Sequence, residues 1–143
     1  MLRHRLIHPQ ILEALAAAGH GAKILITDGN YPASTKLGAN ALQVYLNLEP
    51  GRLTVTEVLD VLLTAIPVEA AAVMTPESGP EPAVFSEFRA RLHAVDWMEL
   101  GRYEFYEEAS DPDVCLQIIT GDQRLYANIL LTVGVVAPRS AHP

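Results

Sequence analysis

The sequence predicts a single α/β domain of three layers, in which helices flank a mostly parallel central sheet. Helix-like and strand-like patterns alternate along the chain, as is typical of α/β proteins. Short, continuous apolar runs, such as 22–27 and 68–74, are bounded by turn-forming residues and indicate strands buried on both faces. A chain of 143 residues, half of them apolar, is long enough for one domain with a substantial core. We therefore expect one domain over 1–143.

The first elements are predicted to be a helix and two strands. Pro9 suits the first turn of a helix, and Gly19 is a natural stop. One apolar face of this helix is formed by Ile11, Leu12, Leu15 and Ala16. The run 22–27 then predicts a buried strand. Residues 42–48 alternate between apolar and polar side chains, which predicts a half-buried strand.

The middle of the chain is predicted to form a helix, a strand and a loop. Thr54 and Glu57 have the spacing of a capping box, which predicts a helix from there to about Ala65. Pro67 ends this helix, and 68–74 predicts the next buried strand. The loop 75–82 contains three prolines and one glycine, so we expect it at the surface.

The last elements are predicted to be two helices followed by two strands. A helix is expected over 83–95, with its inward face formed by Val84, Phe85, Phe88, Leu92 and Val95. A short helix is expected over 103–109. The apolar runs 114–119 and 129–133 predict the closing strands, and 138–143 is expected to be a frayed tail.

Composition excludes several classes of function. A net charge of −7 argues against binding of nucleic acid or an anionic membrane, and no apolar run has the length of a membrane span. The basic N-terminus is not followed by the apolar segment of a signal peptide. Cys115 is the one cysteine, which fits a reducing cytoplasm and a place in the core. His4 and His8 lack carboxylate or thiol partners nearby, so we expect no metal site.

The stretch 19–32 holds two candidate functional residues at opposite ends of one predicted strand. Asp28 follows the strand, where ligands bind in open α/β sheets. His20 precedes it, roughly 20 Å away at about 3.3 Å per residue. A neighbouring subunit or a folded-back loop would have to bring the two near one ligand.

Each candidate also has a structural interpretation without function. His20 lies between two glycines and suits an ordinary surface turn, and Asp28 suits a turn cap. The same applies to side chains further along the chain, which suit an exposed helix or a strand edge: Arg102, Tyr106, Tyr126 and Asn128. The chain has no phosphate loop, nucleophile elbow or dinucleotide fingerprint. We therefore expect no cofactor, and the polar set suits proton transfer on a neutral, hydroxyl-rich ligand.

Several separated motifs resemble the fucose mutarotase and ribose pyranase family. The first lies in 8–32 and includes Ala-Gly-His-Gly and Ile-Thr-Asp-Gly-Asn-Tyr-Pro. The others are Arg-Tyr-Glu-Phe-Tyr-Glu at 102–107 and, within 120–135, Thr-Gly-Asp and Tyr-Ala-Asn-Ile-Leu-Leu. The match spans nearly the whole chain in order. The resemblance implies an α/β subunit in a ring-shaped homodecamer, with monosaccharide sites at contacts between subunits.

The resemblance also implies a reaction and a role for each candidate. The reaction interconverts cyclic forms of a free sugar through ring opening, without a cofactor. By resemblance His20 is the acid–base residue, and Asp28 orients it or binds a sugar hydroxyl. Arg102 would hold the sugar, and Tyr126 and Asn128 would hold hydroxyls or assist proton transfer. Tyr106 is a further substrate-binding candidate.

Some positions depart from the family pattern. Ala22 stands where the family usually carries Asp, which removes a charge beside His20. The sequence at 126–128 resembles that of ribose pyranases, whereas the sequences at 30–32 and 102–106 resemble those of the fucose branch. The favoured prediction is an L-fucose mutarotase. A D-ribose pyranase and a non-catalytic sugar-binding or transport-associated protein remain as alternatives.

Overall fold

The computed structural model describes residues 1–140, which form four helices and one six-stranded sheet. The helices are α1 (Pro9–Ala17), α2 (Val55–Leu62), α3 (Val84–Arg91) and α4 (Arg102–Ala109). The strands are β1 (Lys23–Thr27), β2 (Leu42–Tyr45), β3 (Val68–Met74), β4 (Asp96–Leu100), β5 (Val114–Ile119) and β6 (Ile129–Val133). The predicted α/β class is confirmed.

The sheet has the order β2-β5-β1-β6-β3-β4 and is mostly parallel, as predicted. β1 pairs in parallel with β5, β5 with β2, and β3 with β4. β6 runs antiparallel to both of its neighbours, β1 and β3. Because β6 is reversed, its first residue lies at the edge of the sheet where β1 and β3 end.

Two apolar clusters make the three layers. On one face, α1, α2 and α3 cover the sheet and bury side chains such as Ile11, Leu59 and Phe85. On the other face, α4 and the loop after β1 bury Phe105 and Tyr31 against Leu25. The alternation of Leu25 with its two neighbours in β1 explains why this strand is apolar throughout, since it faces a core on both sides.

Local signals set several element ends as predicted. The capping box at the start of α2 is present: the Thr54 side chain accepts from Glu57 N, and Glu57 accepts from Thr54 N. At α1 the cap is different, because His8 Nδ1 accepts from Ile11 N at 3.3 Å. Pro9 then occupies the first helical turn, as predicted.

Three predicted elements differ in extent. β2 ends at Tyr45 rather than at residue 48, and Leu48 is 81% exposed. α2 ends at Leu62, not Ala65. α3 ends at Arg91, because Leu92 turns to extended backbone and Ala94 takes a positive φ of 56°. This turn leads into β4, an element that was not predicted from the sequence.

The tail expected to fray over 138–143 is described in part. Residues 138–140 are exposed and outside regular secondary structure, and 141–143 lie outside the described residues. Within residues 1–140, no helix combines the length and apolar character needed to cross a bilayer.

Candidate functional site

A polar cavity of about 330 Å³ opens at the edge of the sheet where β1 and β3 end. Five of the six predicted site residues line it: Asp28, Arg102, Tyr106, Tyr126 and Asn128. Its volume is in the range of pockets that bind small molecules. The structure therefore brings together residues that lie up to a hundred positions apart in the chain.

Strand directions explain this assembly. Asp28 directly follows β1, and Met74 is the last residue of β3. Met74 pairs with Leu100 at the end of β4, so α4 begins at the same edge with Arg102. Asn128 precedes the reversed β6, whose first residue pairs with both β1 and β3.

Asp28 and Asn128 form the buried floor of the cavity, and both are less than 5% exposed. Asn128 Oδ1 accepts from Asp28 N at 2.9 Å, and Asn128 Nδ2 lies 3.4 Å from Asp28 Oδ2. Asn30 N donates to Asp28 Oδ1 at 2.9 Å. These contacts fix the carboxyl group in one orientation.

The environment of Asp28 raises the pKa of its carboxyl group. Burial raises the pKa of this carboxyl, and the nearby Asp122 charge raises it further. Backbone N–H groups of Asn30 and Tyr31 lower the pKa of Asp28 and offset only part of that rise. A carboxyl with a raised pKa exchanges protons more readily near neutral pH than an exposed one.

Arg102 and Tyr126 supply donors at the open side of the cavity. The Tyr126 phenol, and after it Tyr106, raises the pKa of the Arg102 guanidinium. Arg102 therefore stays charged and can donate several hydrogen bonds in a fixed planar geometry. Tyr126 has a positive φ of 61°, a strained conformation for a residue with a side chain, and such strain is common at functional sites.

Aromatic side chains support one wall of the cavity. Tyr106 contacts Tyr31 edge to face at a centroid distance of 5.7 Å, and Lys36 Nζ lies 5.8 Å from the Tyr106 ring. Burial raises the pKa of Tyr31 well above its usual value, so its phenol stays protonated. The contacts with Tyr31 and Lys36 hold the Tyr106 ring in the cavity wall.

Four lining residues were not predicted as site residues: Asn30, Tyr31, Met74 and Leu125. Asn30 and Tyr31 were interpreted as plain loop, yet they directly follow Asp28. Leu125 directly precedes Tyr126. Met74 could have been found from its place at the end of a predicted parallel strand, because such ends share one edge of the sheet.

His20 is the predicted site residue that this chain does not bring to the cavity. It precedes β1, at the opposite edge of the sheet, and its side chain is 59% exposed. Its Nε2 lies 3.0 Å from both carboxylate oxygens of Glu69, near the start of β3. The predicted separation of His20 from Asp28 along one strand is thus present in the structure.

Fold and cavity together define an α/β protein with a polar pocket of small-molecule size at the carboxyl edge of its sheet. More specifically, residues 1–136 match the RbsD / FucU transport protein family, and the chain belongs to that family. The resemblance drawn from the motifs is confirmed.

Individual relatives extend this comparison. Fucose mutarotase from Homo sapiens is 30% identical over 146 residues, covering 92% of this chain and 91% of that protein. The fucose mutarotase from Streptococcus pneumoniae, solved in complex with L-fucose, is 28% identical with a TM-score of 0.79. That match covers 96% of this chain and 100% of the other. Bacillus subtilis RbsD complexed with D-ribose has a TM-score of 0.83 over 96% of this chain and 100% of the other. It is 24% identical, so it shows the shared fold alone.

Proposed function

We propose that this protein is a sugar mutarotase that interconverts the α and β anomers of free L-fucose in the cytoplasm, without a cofactor. The observation that carries the proposal is the buried carboxyl of Asp28, whose Oδ2 lies 3.4 Å from Asn128 Nδ2, in a cavity that Arg102 and Tyr126 also line. A neutral sugar needs these groups: hydrogen-bond donors and acceptors for its hydroxyls, and a titratable group for its protons. The activity of the fucose mutarotase relatives supports the same reaction class.

The proposed chemistry is acid–base ring opening. A base takes the proton of the anomeric hydroxyl while an acid protonates the ring oxygen, and the bond between the anomeric carbon and the ring oxygen breaks. The open-chain aldehyde turns its other face to the same hydroxyl and recloses, which returns both protons. No electron transfer takes place, so the reaction needs no redox partner.

Each residue has a role in this proposal. Asp28 and Tyr126 take part in proton transfer, and burial raises the pKa of the Asp28 carboxyl. Arg102 and Asn128 hold sugar hydroxyls, and Tyr106 covers one face of the ring. His20 is the second acid–base group, because an imidazole can give or take a proton near neutral pH.

His20 would reach the sugar from a neighbouring copy of the chain. It lies at the opposite edge of the sheet and is exposed, so a second copy could dock there and present its own Asp28 cavity. We propose a ring-shaped oligomer, a homodecamer by resemblance, in which each site uses two subunits.

Two alternative functions differ from this proposal, one in the sugar that is converted and the other in the absence of turnover. A ribose pyranase would exchange pyranose and furanose forms of D-ribose, as the sequence at 126–128 suggests. A sugar-binding or transport-associated protein would bind without turnover, as the loss of charge at Ala22 suggests.

Saturation-transfer NMR between the anomer signals of L-fucose and D-ribose tests the proposal. We expect wild-type protein to accelerate exchange on L-fucose more than on D-ribose, and Tyr126→Phe to reduce it. Tyr45→Phe is the matched control, since Tyr45 is 57% exposed on β2 and does not line the cavity. Binding of L-fucose without accelerated exchange would favour the non-catalytic alternative, and preference for D-ribose would favour the pyranase.

A further inference from the structure

Asp122 is a buried carboxylate that takes no proton in the proposed chemistry, although its charge raises the pKa of Asp28. It is 2% exposed and lies in the loop 120–128 that leads to Tyr126 and Asn128. Its Oδ2 accepts from Val55 N, in the first turn of α2, at 2.9 Å. Its backbone carbonyl accepts from Gly29 N at 2.9 Å, directly after Asp28. One residue thus ties the loop to α2 and to the end of β1.

Arg124 lies in the same loop, and together with Asp122 it forms what we call the loop anchor. Its Nε and Nη2 donate to the two oxygens of Asp122 at 3.1 and 2.8 Å. Nη2 also donates to Thr56 Oγ1 at 3.1 Å, and Nη1 pairs with Glu87 of α3. A bidentate contact of this kind fixes orientation as well as position. The loop is therefore fastened to both α2 and α3.

Asp122 and Arg124 form an ion pair whose charges balance. Burial would raise the pKa of Asp122, but hydrogen bonds from Arg124 and from Val55 N outweigh it and lower that pKa. Asp122 is consequently ionised at neutral pH and paired with Arg124. Removing the guanidinium would leave a buried charge without its main partner, which strongly disfavours the native arrangement.

The loop that this anchor holds is strained where it carries the site. Tyr126 has a positive φ of 61°, a conformation that persists only when the surrounding structure enforces it. Ala127 and Asn128 are buried on the far side of Tyr126. Arg124 is bound to Asp122 on one side of Tyr126, and Asn128 is bound to Asp28 on the other. The strained residue therefore lies between two fixed positions.

We propose that Asp122 and Arg124 are positioning residues that hold Tyr126 and Asn128 in place for the sugar. The proposal rests on the proposed function for its kinetic consequences, but not for its structural ones. Neither residue is expected to touch the substrate, since neither Asp122 nor Arg124 lines the cavity. Their effect passes through the backbone of the loop.

The test compares Arg124→Ala and Arg124→Lys with wild type. We expect Arg124→Ala to lower kcat for L-fucose exchange by about 10–100-fold, because small displacements of reacting groups have effects of that size. KM should rise by less than kcat falls, since Arg102 is held by α4 and not by this loop. Arg124→Lys should recover part of kcat, because it restores the charge but not the bidentate geometry.

Arg91→Ala is the matched control. Arg91 Nε donates to Asp60 at 2.7 Å, and its side chain is 28% exposed, close to the 35% of Arg124. Its loss should lower the melting temperature by less, because Asp60 is 37% exposed whereas Asp122 is 2% exposed, and it should leave kcat unchanged. Equal loss of kcat in the two variants would reduce Arg124 to a general stabilising residue and overturn the proposal.

Amide hydrogen exchange gives a readout that does not depend on catalysis. Arg124→Ala should speed exchange at 124–128 and leave the strands unchanged, whereas Arg91→Ala should not affect that loop. Unchanged loop exchange and unchanged kcat in Arg124→Ala would overturn the proposal. A wild type that accelerates no sugar exchange would refute the proposed function, while faster loop exchange in Arg124→Ala would still support the anchor.

Discussion

The buried carboxyl of Asp28 is the group whose replacement tests the proposed site most directly. Asp28→Asn keeps the side-chain volume and an oxygen for the Asn30 N–H, which lies 2.9 Å from Oδ1. It removes the negative charge and the oxygen that faces the Asn128 amide at 3.4 Å. The cavity should keep its shape and lose its titratable carboxyl.

We expect Asp28→Asn to lower the rate of L-fucose anomer exchange by about 10²–10⁴-fold, the usual contribution of a positioned acid or base. Saturation-transfer NMR measures this rate directly. Binding should weaken much less, because Arg102 and Asn128 remain. Asp60→Asn is the control, since the Asp60 carboxylate accepts from Arg91 outside the cavity.

The same substitution should stabilise the protein at neutral pH. Burial raises the pKa of Asp28 above its ordinary value, so the ionised carboxylate costs the folded state free energy. That cost is absent below about pH 3.9, where the unfolded chain also binds the proton. It grows as the pH rises from there to the folded pKa, and it is constant above the folded pKa. Asp28→Asn should therefore melt above wild type at about pH 7 and lose this advantage at about pH 3.5.

Two results would refute this reasoning. A wild-type exchange rate in Asp28→Asn would remove Asp28 from proton transfer. A melting temperature below wild type at neutral pH would mean that the hydrogen bonds of the carboxylate outweigh the cost of its burial.

Three further predictions follow from the site and its surroundings. His20→Ala should lose about 10²–10⁴-fold in exchange rate without a change in melting temperature, because the side chain is 59% exposed; unchanged exchange would exclude His20 from the reaction. Arg102→Ala should lose most of the L-fucose rate, since a wrong or missing polar contact costs about 1–3 kcal/mol; equal loss on L-fucose and D-ribose would make Arg102 a general structural residue. Light scattering at micromolar concentration should give a mass many times that of the 15.6 kDa chain, and a monomer would remove the basis for a shared site.

Much of the fold could be predicted because its signals are local. The capping box of Thr54 and Glu57, Pro9 at the start of α1 and the apolar runs of the central strands each specify an element within a few residues. Asp28 could be placed at the site for the same reason. It follows an apolar strand, and the ends of parallel strands meet at one edge of the sheet.

β4 was missed because it is an edge strand with little apolar surface. Asp96, Met98 and Glu99 are exposed, so the sequence has neither an apolar run nor a clean alternation there. Trp97 packs on Phe85 of α3 at a centroid distance of 6.0 Å. That contact joins β4 to the helix that precedes it, and neither an apolar run nor an alternating pattern within 96–100 reveals it.

The composition of the site could be predicted only in part, because it depends on strand direction. Apolar periodicity places β6 as a strand but does not say that it runs antiparallel to β1 and β3. That direction places Asn128 beside Asp28. The contacts of Asp122 with Val55 and Gly29 are likewise long-range, and no local signal identified Asp122 as an anchor.

The contact between His20 and Glu69 bears on the choice between a catalyst and a binding protein. The non-catalytic alternative rests on Ala22, which stands where the family usually carries a carboxylate beside His20. In this structure Glu69, near the start of β3, brings both of its carboxylate oxygens within 3.0 Å of His20 Nε2. A carboxylate that bonds one imidazole nitrogen orients the ring and sets its tautomer. Glu69 therefore places beside His20 a carboxylate that Ala22 does not supply, and the substitution alone does not argue against turnover.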